Sequence, residues 1–331
     1  IASIIIYIIG WFATPGLLRL LKTPADTIPD SILYLRIYFL GILFTLIYNM
    51  GSAIMRALGD SRRPLYYLMI CCFLNIVLDL FTVVILGMGI AGAAIATVIS
   101  QAVSAVLVTR SLMKSYDLLK LRLRAIRIHP DLLRAEFRIG LPGGLQSCAY
   151  SISNIIIQTA INNFGTDTAA AWAAFGKVDA IFWTITGSFG ITIATFAGQN
   201  YGARKYDRIQ KSVRVCLGMS LALCGGLLLF LFTCCRPLYY AFTTDPTVVE
   251  IGVYMLRLIT PSYLIYIFVE IFARALRGIG DVLIPTSFTL GGVLIIRLSW
   301  ILFVTPMTGE LSTLLYSYPL AWGAKIGRAH V

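Results

Sequence analysis

Three polar residues of one predicted helical hairpin have side chains that could bind a cation. Asp79 lies inside an apolar run (65–86), and Asn75 lies four residues earlier on the same helix face. A tight turn at 87–89 follows, and Thr97 lies eight residues beyond it, just as Asp79 lies eight before it. At 1.5 Å per residue, Asp79 and Thr97 are therefore both about 12 Å from the turn. A carboxylate, an amide and a hydroxyl at one depth are hard ligands for Na+ or a relay for a proton.

These three residues also predict a switch. Burial favours the neutral acid, whereas a bound cation or a basic neighbour favours the carboxylate. Protonation of Asp79 would change its hydrogen bonds to Asn75 and Thr97, and this change could bend the helix or release a substrate. The alternative is a polar clamp between two helices that carries no ion traffic. Both interpretations remain open at the level of the sequence.

Other polar residues inside apolar runs are candidates for contact with an organic substrate. Glu270 is predicted to bind a cationic substrate, and pairing with Arg274, one turn later, is the alternative. Lys177 and Asp179 lie in a run rich in aromatic residues and could line a cavity or pair with charges across it. Three amide side chains complete this candidate set: Gln146 and Asn154, eight residues apart near one helix face, and Asn49.

The composition indicates that membrane-spanning helices position these residues. Hydrophobic residues make up 58% of the 331 residues and charged residues only 13%, whereas soluble domains average about half and a quarter. The apolar residues fall into blocks of about twenty, which is the length that crosses a bilayer core of about 30 Å. We therefore predict an all-α polytopic membrane protein. The predicted spans are 1–21, 31–57, 65–86, 90–112, 139–163, 170–198, 212–242, 248–276 and 283–304, with a tenth beginning near 311.

The positions of the charges support this topology. A net charge of +12 would suggest nucleic-acid binding in a soluble protein, but the basic residues cluster in alternate turns, as in membrane proteins whose positive loops face the cytoplasm. The most basic segment, 114–138, is predicted to be a cytoplasmic linker between an incomplete N-terminal lobe (1–113) and an incomplete C-terminal lobe (139–324). The expected partners are therefore the lipid bilayer and small molecules, and no nucleic acid.

The chain contains two copies of one helical unit at an offset of 221 residues. The strings MRALGDSRRP (55–64) and LRGIGDVLIP (276–285) align at this offset, and Arg36 falls on Arg257. The copies lie six predicted spans apart, so they share one orientation, as in transporters built from parallel repeats.

The same offset predicts an asymmetry in the chemistry. Ile296, Trp300 and Tyr318 take the positions of the cation-binding candidates in the second copy. None of these three side chains has a carboxylate or an amide. The ion chemistry is therefore predicted for the first copy.

Four strings resemble motifs of a known family: MRALGDSRRP, NIVLDLFTVVILGMGIAGAAIATVISQ, RIGLPGGLQ and FAGQNYGARK. They are similar to motifs of the MATE (multidrug and toxic compound extrusion) transporters, in particular the DinF-like bacterial branch, over roughly 1–304. The resemblance implies two parallel-related six-helix bundles in a bacterial inner membrane, with about nine to ten of twelve helices present. It also implies alternating-access export of organic, often cationic, compounds in exchange for H+ or Na+, with no other cofactor. Asn75, Asp79 and Thr97 fall on the family's cation site in the first lobe, and we expect a monomer.

The chain departs from the family pattern in three places. The NorM-like branch has two acids in its second lobe where this sequence has Tyr150 and Tyr266, so a second Na+ site is not expected. The family's carboxylate on the first helix is absent, and the chain is expected to be a fragment truncated at both ends. The tail 325–331 resembles a translated sequencing adapter and is expected to be non-native.

Three other functional classes compete with the antiporter hypothesis. One is a channel, but parallel repeats with a central acid fit alternating access better. A lipid-linked saccharide flippase of the same superfamily is the alternative function, and it should have a strongly basic cavity. An enzyme is not expected, because the sequence shows no nucleophile constellation, phosphate-binding loop or zinc motif. The seven cysteines lie in apolar blocks without metal-ligand spacing.

Overall fold

The protein is described from a computed structural model that covers residues 2–20, 27–114 and 127–326. The chain forms two compact units, Ile1–Arg127 and Ile128–Val331. Seven helices in the described ranges are long and apolar enough to cross a membrane, and these ranges contain no strand. The prediction of an all-α polytopic membrane protein is therefore confirmed. Residues 115–126 of the predicted linker and 327–331 of the predicted tail lie outside the described residues.

The first unit contains four helical segments in the order predicted. They are α1 (Ala2–Leu20), α2 (Ile28–Ala57), α3 (Arg62–Asp79) with a π-helical continuation (Leu80–Ile85), and α4 (Gly89–Lys114).

Helix α2 packs closely along α4 because glycines on α2 face α4. A Cβ at Gly41 would lie 2.5 Å from Gln101 Oε1, and the side chain of Val108 lies against Gly51. Because the later glycine meets the later α4 residue, the two helices run in the same direction. Small residues that let helix backbones approach closely are typical of packing in membranes.

The second unit contains the remaining helices. They are α5 (Pro130–Asn162), α6 (Thr166–Gly202), α7 (Tyr206–Thr233), α8 (Cys235–Tyr240), α9 (Pro246–Ile259), α10 (Tyr263–Gly278), α11 (Leu283–Leu290), α12 (Thr305–Thr308) and α13 (Leu311–Ile326). Two π-helical stretches, Gly291–Arg297 and Trp300–Val304, connect α11 to α12. The core contains the fully buried Phe182, Tyr263, Ile267 and Trp322.

Two predicted span boundaries are wrong. The span 212–242 is not one helix: α7 ends at Thr233 and the short α8 follows. Pro237 explains the break, because a proline has no N–H and clashes with the carbonyl four residues earlier, at Thr233. The helix predicted at 139–163 begins at Pro130, inside the predicted linker. Proline is favoured in a first helical turn, and Asp131 beside it complements the helix dipole.

The 221-residue repeat is confirmed at the turn that follows α2 and α10. Gly59 and Gly280 have φ of +88° and +94°. The next residue donates its backbone N–H five residues back in each copy, from Asp60 to Met55 O and from Asp281 to Leu276 O, both at 3.0 Å. A positive φ is accessible to glycine at little steric cost, so the glycine is required by the shape of the turn.

The arginines matched by the repeat also have matched partners. The guanidinium of Arg36 lies 4.8 Å from the ring centre of Trp11, and that of Arg257 lies 5.9 Å from the ring centre of Phe232. Trp11 and Phe232 are themselves 221 residues apart. The two copies therefore share a cation–π contact between neighbouring helices.

Candidate functional site

Asp79 lies at the junction between α3 and its π-helical continuation. Leu86 donates its N–H to Phe81 O, five residues back, and Thr82 Oγ1 donates to Leu78 O at 2.8 Å. Asp79 is half-buried, and its Oδ1 is a buried atom that has no hydrogen-bond partner among residues 2–20, 27–114 and 127–326. The Nδ2 of Asn75, one turn earlier, is buried and unpartnered as well. π-Helical segments occur frequently at functional sites because they interrupt the regular hydrogen-bond ladder.

Helix α4 brings Thr97 to a depth similar to that of Asp79. A Cβ at Gly92 would lie 3.0 Å from Thr82 Cβ, which fixes the register of the hairpin. Asp79 lies three residues before this crossing and Thr97 lies five after it, which correspond to about 4.5 and 7.5 Å of helical rise. The predicted hydrogen bond from Thr97 to Asp79 is absent, because Thr97 Oγ1 donates to Ala93 O at 2.9 Å.

The structure adds two residues to the polar groups of the first unit. Gln101 follows Thr97 by one turn, and its buried Oε1 has no hydrogen-bond partner in the described ranges. Arg36 on α2 has a buried, unpartnered Nε. The spacing from Thr97 would have identified Gln101 in the sequence, whereas the position of Arg36 depends on the packing of α1 and α2. The remaining candidate of this unit, Asn49, is exposed on α2.

In the second unit, Asp179 has hydrogen bonds to both of its oxygens. Trp183 Nε1 donates to Oδ2 at 2.6 Å, and the Tyr263 hydroxyl donates to Oδ1. Lys177 lies on the exposed side of α6 and is not among the ion pairs of the described residues. The structure therefore separates these two candidates, and it surrounds Asp179 with aromatic donors.

Aromatic rings extend from Asp179 across the interior of this unit. Phe182 stacks on Tyr263 with ring centres 4.2 Å apart, and Trp183 lies edge-on to Tyr266 at 4.6 Å. Trp322 lies 5.4 Å from both tyrosine rings. Aromatic pairs at these distances stabilise a core beyond the area that they bury. The rings therefore hold Asp179 in one fixed environment.

A buried arginine borders the aromatic cluster. Arg297 is 3% exposed, and its guanidinium lies 3.6 Å from the ring centre of Tyr318. Its Nε and Nη2 have no hydrogen-bond partner in the described residues. The sequence identified Arg297 as embedded, but only the fold places it on Tyr318.

Glu270 forms the pairing that the sequence offered as an alternative to substrate binding. Its Oε1 lies 2.7 Å from Arg274 Nε, and its Oε2 accepts from the Tyr266 hydroxyl at 3.0 Å. Gln146 accepts a hydrogen bond from Arg277. Both groups line a cavity of about 360 Å³ between α5, α10 and α11. Asn154 is exposed and does not line this cavity.

Comparison with known proteins identifies relatives of this chain. A sequence model of the MatE family matches residues 1–81 and 142–301. A probable multidrug resistance protein of Bacillus subtilis, YoeA, is 29% identical over 297 residues, which is 87% of this chain and 64% of YoeA. A second probable multidrug resistance protein of that bacterium, YpnP, is 34% identical over 205 residues, 60% of this chain and 44% of YpnP. The chain therefore spans less than two thirds of the length of these relatives.

A solved structure shares the fold. The crystal structure of a MATE protein in its bent conformation superimposes with a TM-score of 0.90 at 21% identity, over 98% of this chain and 73% of that chain. The family match covers most of the chain, in both of its units. The chain therefore belongs to the MatE family of MATE transporters and is a multi-pass membrane protein.

Proposed function

We propose that the protein is a secondary active antiporter of the bacterial inner membrane. It exports organic, often cationic, compounds in exchange for H+ or Na+ by alternating access. Family membership and the description of YoeA and YpnP as probable multidrug resistance proteins support the transport class. The observation that carries the coupling step is Asp79, an acid inside the span Arg62–Ile85 with a buried oxygen that lacks a hydrogen-bond partner in the ranges that the structure describes.

The coupling ion would bind at Asp79. Asn75 on α3 has a buried amide nitrogen, and Gln101 on α4 has a buried amide oxygen, and neither atom has a hydrogen-bond partner among the described residues. A buried polar atom without a partner costs about 1–3 kcal/mol, so a Na+ ion or a proton that binds the unpartnered oxygen of Asp79 would lower the free energy of the state that binds it. One carboxylate with neutral oxygens suits a monovalent cation or a proton.

The helix that carries Asp79 contains a segment whose conformation would respond to the ion. The π-helical segment Leu80–Ile85 follows Asp79 directly. Converting a π-helical turn to an α-helical turn rotates the residues on one side of it relative to those on the other. Neutralisation of Asp79 would favour one of these two forms and so couple the ion to the shape of the span.

The substrate would contact the second unit through the polar cavity at Gln146 and Glu270 and not through Asp179. Asp179 accepts hydrogen bonds from Trp183 and Tyr263 and does not line this cavity. Glu270 shares its cavity with arginines and with aromatic rings.

The test is transport of ethidium by the gene product that carries this chain, reconstituted in liposomes under H+ and Na+ gradients imposed separately. The proposal predicts accumulation under one gradient and none when that gradient is collapsed. Absence of transport under either gradient would contradict the proposal and favour the lipid-linked saccharide flippase.

A further inference from the structure

The cavity of the second unit carries both signs of charge on one wall. Its volume of about 360 Å³ lies within the range of ligand sites, about 300–1,000 Å³. Glu270, Arg274 and Arg277 project into it from one helix, α10, and Tyr150 and Tyr266 line it as well. Its charged groups belong to the described residues of a single unit, so the site is complete within that unit.

The acid on this wall is already paired. Both oxygens of Glu270 are occupied, one by Arg274 and one by Tyr266. The side chain of Glu270 is 12% exposed and that of Arg274 is 38% exposed. A cationic substrate would have to displace Arg274 before it reached this carboxylate.

The second arginine is not paired with an acid. Arg277 donates to the neutral amide of Gln146, and its buried Nε has no hydrogen-bond partner in the described part of the chain. Arg277 is also not among the ion pairs of the described ranges 2–20, 27–114 and 127–326. Within the part of the chain that the structure describes, its charge is therefore available to an incoming group of opposite sign.

We infer that this cavity binds the carboxylate of a zwitterionic organic substrate, with Arg277 as the partner of that carboxylate. The inference rests on the proposed transport function and narrows its substrate class. The planar guanidinium matches a carboxylate in shape and charge and forms strong paired hydrogen bonds with it. Tyr150, which also lines the cavity, supplies an aromatic ring for the cationic, aromatic part of the same molecule. A substrate that is only cationic would leave the buried Nε of Arg277 without a partner among the described residues, which is costly.

Two dyes provide the test, because they differ at one group. Rhodamine 110 has a free carboxylate, and rhodamine 123 is its methyl ester, with the same cationic ring system. Fluorescence anisotropy with the purified gene product in detergent should give a Kd about tenfold lower for rhodamine 110, as expected for charged hydrogen bonds. Arg277→Gln should remove this preference and leave the Kd of the ester within about twofold.

A second variant keeps the test decisive if Arg277→Gln does not fold. Gln146→Glu preserves the hydrogen bond to Arg277 and adds a built-in carboxylate, so it should abolish the preference for rhodamine 110 in the same way. The matched control is Arg257→Gln, which removes the same charge from the same unit but from a guanidinium that lies over Phe232. This control should retain the tenfold preference.

Equal affinity of the wild type for both dyes would overturn the inference. Equal weakening of both dyes in Arg277→Gln and Gln146→Glu would overturn it as well. Ethidium has no carboxylate, so its gradient-driven transport separates the two claims. Ethidium transport without a dye preference refutes only the carboxylate site, whereas a dye preference without transport under any gradient refutes the antiporter.

Discussion

The two membrane-embedded aspartates differ in how their oxygens are satisfied. Asp179 accepts hydrogen bonds from Trp183 and Tyr263, whereas Asp79 has a buried oxygen, one turn from the buried Nδ2 of Asn75, and neither atom has a partner among the described residues. A saturated carboxylate stabilises the fold, and an unsaturated one is available to an ion. Their types and burial in apolar sequence are alike, so the sequence could not separate the two roles. Only the fold distinguishes the two carboxylates, because Tyr263, which donates a hydrogen bond to Asp179, lies 84 residues away from it in the sequence.

Removal of the Tyr263 hydroxyl should destabilise the second unit. In Tyr263→Phe, Asp179 loses one of its two donors, and we expect a loss of about 1–3 kcal/mol in the free energy of unfolding. Thermal unfolding of the purified protein in detergent measures the change. Tyr254→Phe is the matched control, because Tyr254 is 46% exposed and should shift stability by less than about 0.5 kcal/mol. Similar shifts for the two variants would show that the Asp179 contact contributes little.

The sequence predicted the depths of the candidate residues along the helices better than the individual hydrogen bonds that they form. Helical rise correctly brought Thr97 near the depth of Asp79, but a threonine hydroxyl in a helix readily bonds to the carbonyl four residues earlier, and Thr97 does so. The Glu270–Arg274 pair was accessible from its spacing of four residues. The hydrogen bond from Arg277 to Gln146 could not be predicted from the sequence, because the two residues lie 131 positions apart.

At the scale of elements, the lengths of the apolar runs predict most of the helices. The wrong boundaries are the beginning of α5, which extends into the charged linker, and the end of α7, where a proline follows. The repeat-matched turn is the best-specified element, because the Gly-Asp pair that identified the repeat in the sequence also forms it. Gly59 and Gly280 supply the positive φ, and Asp60 Oδ1 caps the next helix by accepting from Arg63 N at 3.1 Å. Asp281 does the same for Ile284 N at 3.3 Å.

Alanine at either turn glycine should reduce stability. A side chain in the left-handed region costs about 1–2 kcal/mol, so Gly59→Ala and Gly280→Ala should each lower the free energy of unfolding by about that amount. Gly218→Ala is the control and should change stability in the opposite direction, because Gly218 is helical and a Cβ added there would meet no atom within 4 Å. Helix propensity favours that alanine by up to about 1 kcal/mol. Thermal unfolding that ranks all three variants equally would contradict the role of the turn.

The contact between α6 and α10 is also set by small residues. A Cβ at Gly190 would lie 2.9 Å from Glu270 Oε1 and 3.0 Å from Arg274 Cγ, and a Cβ at Gly198 would lie 2.8 Å from Gly278 O. These glycines are eight residues apart on one face of α6, so α10 can approach its backbone. The Glu270–Arg274 pair therefore depends on the absence of a side chain on the neighbouring helix.

Gly190→Ala should push this pair away from α6. Overpacking at such a contact costs about 1–3 kcal/mol, and we expect a lower melting temperature together with weaker dye binding in the adjoining cavity. Gly187→Ala, one turn earlier with nothing within 4 Å, is the control and should leave both quantities nearly unchanged. Loss of stability in both variants alike would point to a general intolerance of α6 and not to this contact.

At the scale of the whole molecule, the two copies share a scaffold but differ in chemistry. Where the first copy has Asp79, the second has Trp300, whose Nε1 donates to Thr313 O at 2.7 Å. Where the first has Thr97, the second has Tyr318, which lies against Arg297. At these two positions the second copy therefore has packing contacts in place of the polar groups of the first copy. The repeat and its asymmetry were both accessible from the sequence, because they depend on residue type at one fixed offset. Assignment to the DinF-like branch stays a prediction.

The central claim is that Asp79 couples the ion to export, and Asp79→Asn tests it most directly. The variant keeps the size of the side chain and removes its charge, so the protein should remain monodisperse and bind rhodamine 123 within about twofold of wild type. Gradient-driven ethidium transport in liposomes should fall by about tenfold or more, under whichever of the H+ or Na+ gradients drives the wild type. Full gradient-driven transport by a folded Asp79→Asn protein would contradict the account.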